Sequence, residues 1–438
     1  MRSSSSSRSG GSDLGLRPSI IEDVRAQKVF DSRGSEAVEV EVFTRAGYGR
    51  ATAPMGASRG RGEAVPYPKG GVDEAVKKVE DLVAPSLSGL DATDQRLVDS
   101  VLHEVDGTPD FSNIGGNTAY AASMAVAVAA ANSLGISLFK HLGGPMVYEL
   151  PYPLGNVIGG GKHTKGRGPD IQEMLVLPIG AEDVLEALQA NFLVHRRVGK
   201  LLLKADPAFT GGRGDEGAWA TTLGTERALE VLSRACEEVS GELGFEIRPG
   251  LDVAASTLWR EEKNAYVYER EGVIRNREDQ IKFILGLMER FNLVYVEDPL
   301  MEEDFEGFSE LAEEASKMGC LICGDDLFVT NRDRIARGAE LGSANAVIIK
   351  PNQVGTLSDT LEAVELARSK GMVPVASHRS GESTDPHLAH LAVGLKCPII
   401  KSGVLGGERV AKLNELIRIA EELGEVGRMA RLPGAIRR

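Results

Sequence analysis

Five positions in the C-terminal half of the sequence carry residue types suited to acid–base and metal chemistry: Glu297, Asp325, Lys350, His378 with Arg379, and Lys401. Each sits at the end of a short hydrophobic run, and successive positions lie 28, 25, 28 and 23 residues apart. One βα unit of a barrel of about 250 residues and eight units advances the chain by about that much, so the five side chains are expected to meet on the C-terminal rim. One such residue alone would read as a solvated rim charge; five in register, of both signs, do not. Glu297 and Asp325, joined by Asp252 near the end of Gly250-Leu-Asp-Val, form an oxygen cage suited to a hard cation such as Mg²⁺. A lysine at 350 or 401 beside that cation would lose affinity for protons and could act as a general base. A Schiff base is the other use of such a lysine, but that chemistry needs no three-carboxylate site. Arg379-Ser380-Gly381 is a cationic, donor-rich turn suited to phosphate. The parts add up to proton abstraction next to a metal-held carboxylate on a phosphorylated substrate.

The elements that must position these residues fall into two parts. From Leu293 onward, hydrophobic runs (Leu293 to Pro299, Leu321 to Leu327, Ala344 to Pro351, Met372 to Ser380, Cys397 to Gly403) alternate with amphipathic helical segments such as Thr356 to Lys370 and Glu408 to Leu423. Repeated βα units of this kind predict a parallel sheet, open or closed. Before Gly144 the pattern differs. Ala37 to Phe43 alternates with period two and Gly47 follows where a hairpin would turn, which predicts a half-exposed antiparallel strand. Ala53 to Glu63 is glycine-rich with little to pack and reads as a mobile loop, and helical patterns follow at Val72 to Val83, Thr93 to Val105 and Thr118 to Leu134. The expected organisation is a Ser/Arg-rich tail (1–17), an N-terminal α+β domain (18–146), a C-terminal α/β barrel holding the active site (147–425) and a basic tail (426–438). Both tails read as solvated, and residues 1–17 as disordered.

The 438 residues include 50 Lys plus Arg against 64 Asp plus Glu, a formal net charge of −14 that disfavours a nucleic-acid binder. The longest uncharged stretch, Phe111 to Lys140, has a short, alanine-rich apolar part and is no membrane span. Cys236, Cys320, Cys323 and Cys397 are scattered and no secretory h-region opens the chain, so a reducing cytoplasmic compartment is expected. Cys320-x-x-Cys323 lacks the partners of a zinc site, and its flanks read as a buried strand. His195, His387 and His390 read as ordinary helix residues, and Asp298 and Asp326 as hydrogen bonders behind the metal ligands.

Ten motifs, in order, carry a resemblance: Asp31-Ser-Arg-Gly34, Gly56-Ala-Ser58, Gln172-Glu173, Gly214-Asp-Glu-Gly217, Leu251-Asp-Val-Ala-Ala-Ser256, Val296-Glu-Asp-Pro299, Gly324-Asp-Asp-Leu-Phe-Val-Thr-Asn331, Lys350-Pro-Asn-Gln353, Ser377-His-Arg-Ser-Gly-Glu382 and Ile400-Lys-Ser-Gly403. From about Ser19 to Gly424 the chain resembles the enolase family. The resemblance implies a barrel whose first strands depart from regular βα order, and reversible, Mg²⁺-dependent dehydration of 2-phosphoglycerate to phosphoenolpyruvate. It implies Asp252, Glu297 and Asp325 as ligands of a first Mg²⁺, with Ser58 ligating a second that arrives with substrate. Lys350 matches the base at C2, and Glu216, supported by Glu173, would help the C3 hydroxyl leave. Lys401 matches the holder of the substrate carboxylate, Arg379 and Ser380 the phosphate contacts, and His163 a loop histidine that closes over the site; Gln172 and His378 are further candidate substrate contacts. A homo-oligomer, dimer or octamer, is also implied. The chain departs from the family pattern at Met55, at Arg59, in the Thr164 to Asp170 segment, at Thr257 and at Val404-Leu-Gly-Gly. These departures leave open a lyase acting on another carboxylate substrate. The resemblance also allows a non-catalytic binding scaffold, which an altered metal or base residue would favour; none is seen.

Overall fold

The computed structural model describes residues 17–56, 59–164, 168–433 and 436. Strands β1 (Ile21–Phe30), β2 (Glu36–Thr44) and β3 (Tyr48–Thr52) form an antiparallel meander in the order β1-β2-β3. Helices α1 (Gly71–Lys78), which runs on through a π turn at Val79–Val83 into Ala84–Leu87, α2 (Gln95–Asp106) and α3 (Gly116–Leu134) follow. The alanine-rich stretch is α3, buried nearly all round, as expected of a helix apolar on every face. Its small side chains let it lie directly on the sheet: a methyl group at Gly49 would sit 2.0 Å from the Ala125 carbonyl oxygen. Strand β2, expected to be half exposed, has Val38, Glu39 and Val40 all buried, Glu39 on the face opposite the two valines, where it accepts hydrogen bonds from Gln27 and Thr52. Among the described residues no helix is long and apolar enough to cross a membrane.

Eight strands close the C-terminal barrel. They are β4 (Tyr152–Gly159), β5 (Glu173–Leu177), β6 (Arg248–Asp252), β7 (Tyr295–Glu297), β8 (Leu321–Gly324), β9 (Ala346–Ile349), β10 (Val373–Ser377) and β11 (Ile399–Gly403). The ring runs in chain order and closes by parallel pairing of β11 with β4, with Lys401 opposite Leu154. Strand β5 is antiparallel to both neighbours, β4 and β6. Two helices, α4 (Val184–Ala205) and α5 (Thr225–Leu243), separate β5 from β6, after which strands alternate with helices as the spacing predicts. The turn from rim to helix is fixed by capping side chains. Thr356 accepts from the Asp359 N–H to start the helix Leu357–Ser369, and Asn331 accepts from the Asp333 and Arg334 N–H groups to start Arg332–Leu341. Cys320 and Cys323 flank and occupy β8, both buried, as the strand reading of that segment expects.

The interior of the barrel is filled by alternate strand residues, among them Leu154, Leu175, Leu177, Tyr295, Ile348, Val375 and Ile399. The same cluster contains Leu432 and Ile436, which corrects the expectation of a solvated C-terminal tail. Arg428–Met429 pairs in parallel with Glu149–Leu150, and Ala430, Leu432 and Ile436 are buried. The few apolar side chains among the arginines reach the barrel floor, a use that charge counting does not see. Residues 1–16, expected to be disordered, lie outside the described residues.

Truncating a buried leucine costs about 2–5 kcal/mol, so Leu432→Ala should lower the thermal unfolding midpoint by several degrees. Val426→Ala, at an exposed position, should leave it within a degree; equal midpoints in calorimetry would show that the segment does not plug the barrel.

Candidate active site

Backbone register alone assembles half of the site. Across β5, β6 and β7, Glu173 pairs with Asp252 and Asp252 with Glu297. Residues on one rung of a sheet point to the same face, about 5 Å from their neighbours. Three carboxylates therefore enter the barrel mouth side by side, where like charges repel. Lys401, in the middle of β11, answers them: its Nζ lies 2.9 Å from Asp252 Oδ2, 2.8 Å from Glu297 Oε1 and 3.2 Å from Glu173 Oε2. Asp325 follows β8 directly, and Lys350 follows β9 and donates to Asp325 Oδ2. Gln353 Nε2 donates to the other Asp325 oxygen at 3.1 Å. Glu173, Asp252, Asp325, Lys350 and Lys401 line one cavity, together with His163, Gln172, Glu216, His378, Arg379 and Ser380. Glu297 lies beneath it, wholly buried, and accepts a hydrogen bond from the Tyr295 hydroxyl at 2.7 Å.

The charges do not balance. Burial, then repulsion from Asp252, pushes the Glu297 carboxyl up to about 8. Burial and the neighbouring Glu216 push Glu173 well above the carboxylate range. Burial opposes the charge on Lys401, but Asp252 and Glu173 outweigh it and hold the ammonium firmly. Lys350 behaves alike: burial lowers its proton affinity and the Asp325 carboxylate more than restores it. The expected shift toward neutrality belongs to a lysine beside a bound cation; the direct Lys350–Asp325 contact acts in the opposite direction. The donor set fits a divalent cation in its chemistry: oxygen ligands only, carrying more negative charge than two lysines offset. Among the described residues, the groups whose donor atoms lie within 4.8 Å of one another are His163, Glu173 and Glu216, and Asp298, Asp325 and Asp326. Asp252, Glu297 and Asp325 are spaced more widely, with the two ammonium groups between them. Asp298, with φ 41°, accepts from the backbone N–H groups of Asp325 (3.0 Å) and Asp326 (2.8 Å). Its side chain thus shapes the turn that presents Asp325.

Glu216 reaches the cavity from the loop before α5, on backbone in the left-handed region (φ 64°), with Gly217 at φ 74°. A side chain at Gly403 would meet the Glu216 carbonyl oxygen at 2.3 Å, so β11 and this loop touch backbone to backbone. Asn156 Nδ2 donates to Glu216 Oε2 at 3.0 Å, and His378 Nε2 lies 3.4 Å from the same oxygen. Burial opposes its charge, but His378 and, further off, His163 and Arg409 hold Glu216 well below the usual carboxylate range. Glu173 and Glu216 are thus a buried pair with opposed proton affinities, in which Glu173 keeps the proton. His163 Nδ1 stands 3.5 Å from Glu173 Oε1.

At the opposite wall, Arg379 Nη1 donates to Asn352 Oδ1 at 3.1 Å and Nη2 to Glu63 Oε2 at 3.2 Å. Glu63 belongs to the glycine-rich loop, and its Oε1 also accepts from the Gly60 N–H. Met55 forms a two-bond bridge with Gly381, so its departure from the family pattern costs nothing in a contact made by backbone. Arg59 donates to the Glu63 carbonyl. Ser58 lies outside the described residues. Sequence reasoning missed Glu63, Asn156 and Arg409. Glu63 had a signal, an acid closing a loop without apolar anchors; Arg409 looks like any helix arginine. His195, read as an ordinary helix residue, contacts the Gly217 carbonyl at 2.9 Å through Nε2 and so backs the Glu216 loop.

The family model "Enolase, N-terminal domain" matches residues 21–142, and "Enolase, C-terminal TIM barrel domain" matches residues 147–433. The enolase of Methanosphaera stadtmanae is 54% identical over 405 residues, 92% of this chain and 98% of its own length. That of Methanothermobacter thermautotrophicus is 54% identical over 415 residues, covering 95% and 99%. That of Pyrobaculum aerophilum is 51% identical over 411 residues, covering 92% and 97%. With both domains matched, half of all aligned positions identical and the acid–base rim assembled in one cavity, the chain belongs to the enolase family.

Proposed function

We propose a division of labour for the enolase reaction, the reversible dehydration of 2-phosphoglycerate to phosphoenolpyruvate, which this chain carries out as a lyase of glycolysis. One observation carries it. Lys350 follows β9 and Glu173 opens β5, four strands apart in a ring of eight, so base and acid face each other across the barrel mouth. Lys350 takes the C2 proton from one face of the substrate. Glu216 helps the C3 hydroxyl leave as water from the other, with Glu173 holding the proton that the pair supplies. Lys401 holds the substrate carboxylate, Arg379 and Ser380 the phosphate, and His163, Gln172 and His378 complete the walls.

The family depends on Mg²⁺, and Asp252, Glu297 and Asp325 would hold the first ion, Ser58 a second that arrives with substrate. When bound, the ions supply positive charge against the dianion that proton loss beside a carboxylate creates. Lys350 becomes a base only when Asp325 has another positive partner, because their contact otherwise keeps the ammonium charged.

Removal of divalent ions by a chelator should abolish phosphoenolpyruvate formation, read by its ultraviolet absorbance, and Mg²⁺ should restore it; full turnover in excess chelator would rule the cage out. Lys350→Ala should stop exchange of the C2 proton with solvent deuterium, whereas Glu216→Gln should keep some exchange while dehydration falls about 10²- to 10⁴-fold. Equal loss of exchange in both variants would overturn the assignment. Calorimetric titration should find one tight Mg²⁺ without substrate and a second only with substrate or an analogue. Ser58→Ala should weaken that second event alone, and two ions bound equally well to free enzyme would contradict the loop's role.

A further inference from the structure

Arg409 has no exposed surface and sits in the first turn of the helix Gly407–Leu423, behind the rim rather than in the cavity. A buried guanidinium is costly unless its donors are used, and this one spends them on three consecutive residues. Nη1 donates to His378 Nδ1 at 2.7 Å and to the Arg379 carbonyl at 2.7 Å, and Nη2 donates to the Ser380 carbonyl at 2.6 Å. Glu408 Oε1, 3.3 Å from Nε, is its carboxylate neighbour. The His378-Arg379-Ser380 turn is thus anchored from below by a single side chain.

The first of these bonds has a chemical consequence. A guanidinium has donors only, so the nitrogen facing it must offer a lone pair, and the ring proton of His378 must be on Nε2. That nitrogen lies 3.4 Å from Glu216 Oε2. A guanidinium at Nδ1 also disfavours a second proton on the ring, in line with burial, which lowers His378 to about 4. The other titratable groups facing the ring are Glu216 and Glu382. Lys412, on the same helix as Arg409, pairs with Glu382 Oε2 at 3.0 Å and donates to the Ser383 and Asp385 carbonyls, so the helix fastens the turn at both ends.

We propose that Arg409 is a positioning residue that serves both halves of the reaction at once. Through His378 it fixes the tautomer that donates to Glu216, and through the Arg379 and Ser380 carbonyls it sets the turn that receives the substrate phosphate. The kinetic part of this assignment rests on the enolase reading of the site; the tautomer does not.

The test has two arms. In the first, full-length enzyme labelled with ¹⁵N-histidine is examined by NMR near neutral pH without substrate, with the His378 signals assigned by their loss in His378→Gln. The expected spectrum is a neutral ring with its proton on Nε2; a proton on Nδ1, or on both nitrogens, overturns the proposal whatever the enzyme's activity. In the second arm, Arg409→Gln and Arg409→Lys are checked for native circular dichroism and then assayed. Arg409→Gln should raise KM for 2-phosphoglycerate about tenfold and lower kcat by more than tenfold. Arg409→Lys, with one compact ammonium in place of a fork, should recover less than half of either. In a His378→Ala background the kcat loss caused by Arg409→Gln should shrink to less than threefold while the KM increase persists, since only the kcat effect runs through the imidazole. Equal kcat losses in the two backgrounds, or folded Arg409 variants with unchanged kcat and KM, would show that the residue is only structural. If no variant at position 409 folds, the tautomer measurement on the unaltered enzyme still decides the proposal.

Discussion

The constraint on which the molecule turns is an excess of buried negative charge at the barrel mouth. Glu173, Asp252 and Glu297 share one rung of the sheet, and Asp325 and Glu216 approach from adjoining turns. Separating such groups would relieve repulsion, yet strand register forbids it. The fold offsets them with Lys401 and Lys350 and leaves a remainder, seen as the raised affinities of Glu297 and Glu173. Breaking a buried pair by removing one partner typically costs about 3–5 kcal/mol, so the arrangement is held in place by its own electrostatics. The same remainder makes the site a receptor for hard cations, which ties metal binding to the stability of the rim.

The N-terminal domain is part of this arrangement. It contributes Glu63 to Arg379, the Met55 bridge to Gly381, and Asn117, whose Oδ1 accepts from Asn352 Nδ2 at 3.0 Å. Deeper in the contact, Asp99 accepts from the Ser358 N–H (2.9 Å), the Ser358 hydroxyl and Ser123. It thereby satisfies a first-turn N–H of the helix that follows the Lys350 loop. A carboxylate from one domain caps a helix of the other, and the capped helix steadies the segment that carries Lys350. The two domains are therefore coupled beside Arg379, Gly381 and Asn352, not merely tethered.

Much of the site was legible because a parallel barrel imposes a rule on sequence: polar residues that close hydrophobic runs face one rim. Glu297, Asp325, Lys350 and His378 obey it. Lys401 lies inside its strand, and Glu173 breaks the rule outright, since β5 runs backward and brings its first residue, not its last, to the mouth. Periodicity cannot reveal a reversed strand, and only the Gln172-Glu173 motif pointed there. Glu216 is likewise invisible to pattern, being presented by a left-handed turn in a loop. The C-terminal segment was misread for a related reason: four arginines dominate its composition, while two buried apolar side chains decide its place.

By itself the sequence determined the two-part architecture, the barrel, the acid and base types and the family, because these follow from local periodicity, spacing and motif. Tertiary structure alone decided the protonation pattern and the supporting contacts. Which lysine meets which carboxylate, which of Glu173 and Glu216 keeps the proton, and which nitrogen of His378 carries its hydrogen all depend on distances of about 3 Å between residues up to 228 positions apart. Arg409 shows the reason most plainly. Its chemistry comes from lying beneath three residues about 30 positions earlier in the chain, and burial there makes every one of its hydrogen bonds count, because no water is available to replace them.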